Sequence, residues 1–234
     1  VKRLYVSSLR LVRRLLQAIG VLGWLDRRAT RSVWARWLRS LLAIYDLEDL
    51  ARLDVPWWTF ESAELVARFL ADRPGARVFE WGSGSSSLWL AARVGEVISV
   101  EHDPEWADAV RAIARPNMRV VTVPPVASTQ PATPSDKPGF EGLDFTDYVR
   151  AVDDEDGEFD LVVVDGRARN ACFDAALPRV SPGGLVVFDN VDRERYREAI
   201  ARHDGAVTVT WTRGLTPCLP YPTRTAVVAL RHDV

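Results

Sequence analysis

Cysteine and lysine are almost missing from this sequence, and so is any long apolar run. Each shortage excludes something. Cys172 and Cys218 are the only cysteines, too few for a disulfide framework, so the expected setting is a reducing compartment, the cytoplasm. No apolar stretch approaches the roughly 20 residues of a membrane-spanning helix. Arginines interrupt the apolar residues of the N-terminus and no compact apolar core with a cleavage site follows, so a secretory signal is not expected. Lys2 and Lys137 are the only lysines, a bias we ascribe to coding, not to chemistry. The net charge of -2 provides no global pull toward nucleic acid, and without an aromatic-lined basic groove no nucleic-acid partner is expected.

That small net charge hides an asymmetry. Between Val1 and Ser40 stand Lys2, Arg3, Arg10, Arg13, Arg14, Arg27, Arg28, Arg31, Arg36 and Arg39 against a single acid, Asp26. Residues 4–25 read as one amphipathic helix, with Leu9, Val12, Leu16 and Ile19 at helical spacing and Arg10, Arg13, Arg14 and Gln17 on another face. A second helix is predicted over 30–45, carrying Val33, Trp34, Trp37, Leu38 and Leu41. The division expected is a basic helical extension over 1–55 and an α/β domain over 56–234. The extension reads as a cap whose arginines are solvated or paired with acids of the domain. A basic amphipathic helix also suits peripheral contact with an anionic membrane, at its inner surface.

At 234 residues, 47% of them hydrophobic and 26% charged, the chain can bury a core of globular size. Thr59 or Ser62 is placed to cap a helix running to about Ala71, just after Trp57-Trp58. From residue 77 onward, short apolar runs alternate with helical patterns, the mark of a parallel sheet. Strands are predicted over 77–81, 97–101, 119–123, 161–165 and 185–189, with a closing pair over 206–211 and 225–230. Helices are predicted over 86–93, 104–114, 170–180 and 193–203, and the stretch 124–139, rich in Pro, Ser and Thr, reads as a surface loop.

The chemistry concentrates at strand ends. Glu80-Trp81-Gly82-Ser83-Gly84 lies between a predicted strand and a predicted helix, where glycines let the backbone turn sharply and approach a ligand. Ser87 stands where a dinucleotide fingerprint has its third glycine, and the Glu80 carboxylate would repel a pyrophosphate. Both features disfavour a nicotinamide-dependent oxidoreductase and suit a cationic ligand. Glu101 ends the next strand at the spacing where an acid accepts the two hydroxyl protons of a ribose. Asp165, Asp189 and Asn190 end two further strands, so they face the same crevice.

This ordered set, covering about 59–230, resembles the class I S-adenosylmethionine-dependent methyltransferases. Glu80-Trp-Gly-Ser-Gly-Ser-Ser-Ser with Asp165-Gly-Arg and Asp189-Asn-Val-Asp-Arg193 looks like a bacterial subgroup of unknown substrate, and is similar in places to plant xylan glucuronic-acid O-methyltransferases. The resemblance implies a Rossmann-like α/β fold: a seven-stranded, mostly parallel sheet whose last strand is antiparallel. It implies that Glu80, Trp81, Gly82, Ser83 and Gly84 hold the methionine part and Glu101 the ribose. His102 and Pro124 would flank the adenine, with Thr59 and Asp165 as further cofactor contacts. Asp165, Asp189 and Asn190 also resemble the Mg²⁺ ligands of catechol-type O-methyltransferases. The lysine expected after the first acid is absent; Arg167 and Arg169 stand there, and arginine is a poor base but a good clamp for a carboxylate or phosphate. Asp165, Arg167 and Asp189 are the candidate catalytic residues, for transfer to an oxygen of a small-molecule or glycan-type acceptor. The readings that compete with it are aminopropyl transfer on the same fold and cofactor binding without catalysis.

Overall fold

The computed structural model describes residues 12–44 and 46–231. Leu9 and the basic residues Lys2, Arg3 and Arg10 lie outside this range, as do Tyr45 and His232. Residues 12–18 are helical, followed by α1 (Val21–Ala29), α2 (Val33–Leu41) and α3 (Leu47–Leu53). The single helix expected over 4–25 is therefore two. Gly20 adopts φ 75°, a left-handed value that glycine alone takes without cost, and it interrupts the ladder between them.

An ionic hub holds these short helices together. The fully buried Arg39 donates to the two carboxylate oxygens of Asp49 at 2.8 and 2.7 Å and to Asp26 at 2.6 Å. Arg13 reaches Asp46 and Asp49, and Arg52 also bonds Asp49. These pairs lie among the N-terminal helices; Arg93 with Asp54 links them to the turn after the helix Ser85–Ala91. On their outer side Ile19, Trp24 and Trp34 are exposed.

Thr59 caps α4 (Phe60–Ala71), its Oγ1 accepting from the Ser62 amide at 3.2 Å. There follow β1 (Arg77–Trp81), α5 (Ser85–Ala91), β2 (Glu96–Glu101), α6 (Pro104–Arg111) and β3 (Met118–Thr122). The proline-rich stretch lies largely in loop. It contributes β4 (Val126–Ala127) to a two-stranded ribbon with β5 (Leu143–Asp144), and α7 (Thr146–Arg150) comes next. The chain closes through β6 (Phe159–Val164), α8 (Arg169–Ala176), β7 (Val180–Asp189), α9 (Glu194–Ala201), β8 (Val207–Gly214) and β9 (Thr223–Leu230).

The main sheet has seven strands in the order β3-β2-β1-β6-β7-β9-β8. Only β9 runs antiparallel to its neighbours, so the last strand is reversed as the resemblance implied. Strand β6 shows why this sequence forms a central strand: Leu161 and Val163 face one core with Val66, Leu70 and Leu90, while Val162 and Val164 face the other with Phe173 and Ile200. Each such fully buried side chain contributes roughly 1.5–3 kcal/mol. The order reverses beside β1, so a crevice opens between the loops after β1 and β6.

Candidate functional site

The crevice is a cleft of about 410 Å³ lined by Trp57, Gly82, Ser83, Ser86, Glu101, His102, Trp106, Phe140, Asp165 and Arg167, among others. That is the size range of small-molecule sites. Two glycine turns shape its floor. A Cβ on Gly82 would sit 2.9 Å from the Gly166 Cα and amide nitrogen, and Gly82 has φ 95°. The loops after β1 and β6 can therefore pass this closely only as glycine against glycine.

Glu101 reaches the cleft from the end of β2. Its carboxylate accepts from the amides of His102 at 2.8 Å, Asp103 at 3.0 Å and Ser83 at 3.0 Å, and from the Ser83 hydroxyl at 3.2 Å. Burial pushes its pKa up, but the adjacent His102 ring and these amides more than offset that and hold it below the usual carboxylate range. The Nδ1 of His102 lies 2.6 Å from Oε1, off the hydrogen-bonding direction, and the ring packs on Phe140. On the opposite wall Trp57 stacks on Trp106 at 6.0 Å, and the indole of Trp106 donates to the Ser83 carbonyl at 2.8 Å.

Glu80 does not line this cleft. It is fully buried, its carboxylate accepting from the hydroxyls of Ser86, Ser87 and Ser99. Burial drives its pKa up to about 7 against those three donors. Ser87 also accepts from the Gly84 amide at 2.9 Å, which ties the glycine turn to the start of α5. Three other expected cofactor contacts are placed elsewhere. The Thr59 hydroxyl is committed to Ser62 and Thr212, Trp81 packs on Phe79 and donates to the Tyr148 carbonyl, and Pro124 is exposed in the loop after β3.

A second chamber of about 190 Å³ adjoins the cleft and shares Trp57 and Asp165 with it. Ile44, Asp189, Asn190, Pro217, Cys218 and Leu219 complete its walls. The helical extension helps to build it: Trp37 donates to the Leu219 carbonyl at 2.8 Å, and the Ser40 hydroxyl accepts from the Cys218 amide at 3.0 Å. Trp57 divides the two spaces while Trp58, its neighbour, is buried against Trp89.

Arg169 organises the strand ends. Its buried guanidinium bonds Asp165 Oδ1 at 2.7 Å and the carbonyls of Asp165, Gly166 and Asp189. Asp189 accepts from the Thr225 hydroxyl at 2.6 Å and from the side-chain amide of Asn190, whose φ of 58° turns the chain away from β7. Such left-handed non-glycine residues cost of order 1–3 kcal/mol and cluster at functional sites. Burial, then the charge of Asp165, pushes Asp189 up to about 8. This donor set does not fit the Mg²⁺ site expected from the resemblance. Arg169 holds Asp165 where a divalent cation would, Asp189 is turned onto Thr225, and among the described residues no group of three or more His, Cys, Asp or Glu side chains converges.

Sequence reasoning missed Trp106, Phe140, Lys137 and Ile44 as lining residues. Trp106 follows the helix-capping Asp103 by one turn and was open to detection; Phe140 and Lys137 lie in an aperiodic loop and carried no signal.

The fold is that of the class I S-adenosylmethionine-dependent methyltransferases. Residues 79–191 match a family model described as a methyltransferase domain, and the chain is an enzyme of that class. Among solved structures the chain is similar to precorrin-6y C5,15-methyltransferase from Geobacter metallireducens GS-15, at 15% identity and a TM-score of 0.50 over 74% of this chain and 88% of that one. It is also similar to a methyltransferase-like protein from Silicibacter pomeroyi DSS-3, at 23% identity and a TM-score of 0.46 over 77% and 92%. No curated protein matches the chain. No helix among the described residues is long and apolar enough to cross a membrane.

Proposed function

We propose that the enzyme methylates an oxygen of a small-molecule or sugar-containing acceptor seated in the 190 Å³ chamber. The observation that carries this reading is the junction at Trp57 and Asp165, where that chamber meets the cleft beside a buried, protonatable Asp189. S-adenosylmethionine, when bound, supplies an electrophilic methyl on a sulfonium. Glu101, Gly82 and Ser83 are the residues that would hold it, with Trp57 and Trp106 closing the wall. Asp189 takes the proton of the acceptor hydroxyl as the new oxygen–carbon bond forms and the sulfonium–carbon bond breaks. The electron pair of the broken bond stays on sulfur and the proton on Asp189. Burial pushes Asp165 up as well, and the Arg169 guanidinium 2.7 Å away opposes that push, so the charge of Arg169 is shared by the pair.

The test is methyl transfer from S-adenosylmethionine labelled at the methyl group to a panel of hydroxylated and amine-bearing acceptors. The expected product is an ether or ester among the hydroxylated compounds. Label appearing on amines alone would reject oxygen as the acceptor atom, and tight cofactor binding with no transfer to any compound would argue against turnover by this site.

A further inference from the structure

A third cavity, of about 60 Å³, lies beside the two described above. Its lining includes Lys137, Arg167, Arg169, Asn190, Arg193 and Tyr196. It is not separate from the site: Arg167 and Arg169 also line the cofactor cleft, and Asn190 also lines the acceptor chamber.

The cations here are unequally satisfied. The carboxylate of Asp165 answers Arg169, and Asp136 pairs with Arg195 at 3.3 Å. Arg167 is different. Its guanidinium lies over the Phe140 ring at 4.8 Å and donates to the Gly166 carbonyl at 3.1 Å, while its buried Nε has no hydrogen-bond partner. Arg193 donates only to the Tyr196 hydroxyl at 3.3 Å among its described contacts. A guanidinium half removed from water without a carboxylate is costly unless an anion completes it. Burial, reinforced by the charge of Arg169, holds Arg167 below its usual pKa. The phenol of Tyr196 reports the same positive field: burial pushes it up, yet Arg169, Arg195 and Arg193 bring it below its ordinary value.

We infer that this cavity binds a carboxylate or phosphate group of the methyl acceptor, clamped by Arg167 with Arg193. The inference rests on the acceptor reading above. It names the substrate class as an anionic hydroxyl compound whose charged group sits beyond Asn190 while its hydroxyl reaches Asp189. Guanidinium forks match both anions in bidentate geometry. A cavity of this size, against roughly 30 Å³ for a water molecule in the liquid, takes a headgroup and little more. The same chemistry has a second source, the amino-acid carboxylate of the cofactor, because Arg167 also faces that cleft.

The experiment is calorimetric titration with inorganic phosphate of the free protein and of protein saturated with S-adenosylhomocysteine. Both forms are expected to bind phosphate, and Arg193→Gln, which lines this cavity and not the cofactor cleft, to weaken it at least tenfold while changing S-adenosylhomocysteine affinity less than threefold. That unchanged affinity also certifies that the variant is folded. Loss of phosphate binding on saturation, or a tenfold loss of S-adenosylhomocysteine affinity in Arg193→Gln, would assign the cavity to the cofactor carboxylate and overturn the inference. Phosphate binding that is absent, or equal in the variant and the parent, overturns it too. Failure of the cofactor assignment reads out separately, as no S-adenosylhomocysteine binding by protein that still binds phosphate.

Discussion

Glu101→Ala should weaken S-adenosylhomocysteine binding by about a hundredfold, roughly 2.7 kcal/mol. The carboxylate ends β2 at the rim of the cleft, and the His102 ring and backbone amides that offset its burial hold it below the usual carboxylate range, which favours the ionised form. An ionised acceptor facing two ribose hydroxyls makes charge-assisted hydrogen bonds, about twice the strength of neutral ones. Removing it also releases the Ser83, His102 and Asp103 amides that it now fixes, so the loop after β1 loses a strut as well. The second loss is separable from the first. Glu101→Gln keeps an acceptor and most of the shape, so it should recover a good part of the affinity. Equal losses in the two variants would mean that charge is not what the ligand reads. Titration calorimetry on both, with circular dichroism to confirm folding, makes the comparison.

Asp189→Asn should lower turnover by two to four orders of magnitude, the usual contribution of a positioned general base. Burial raises Asp189 to about 8, so in the free enzyme it is protonated and idle at acid pH. The rate at limiting substrate should therefore climb about tenfold per pH unit until pH 8 and level off above it. Asparagine at this position should abolish that climb as well as the rate. Stability moves the other way. A carboxyl whose folded pKa is raised stabilises the fold fully below its unfolded pKa, near 4, and that contribution is lost as pH rises through 8. Relative to the parent, Asp189→Asn should thus gain thermal stability between pH 5 and 9. A variant with an unchanged pH–rate profile would remove Asp189 from the proton path.

The central strands were legible as short runs rich in apolar residues, and a strand such as β6, buried on both faces, can hardly be anything else. Glu101, Asp165 and Asp189 were legible for the same reason: position at a strand end determines which crevice a side chain faces. Glu80 shows where that logic stops. It sits one residue before the end of β1, opposite Ser99 in register, and alternation turns its side chain toward the serines of α5 and not toward the cleft. Mg²⁺ failed as an expectation because two acids and an amide in order say nothing of Arg169, which the first turn of α8 folds back onto Asp165. The second chamber was the least legible part. It joins Ile44 to Cys218 across most of the chain, and no local pattern encodes such a contact.

Titration of the protein with S-adenosylhomocysteine tests most directly that the cleft is a cofactor site. We predict micromolar or tighter one-to-one binding, with NAD giving no heat. Folded protein that ignores S-adenosylhomocysteine, or that prefers NAD, would contradict it.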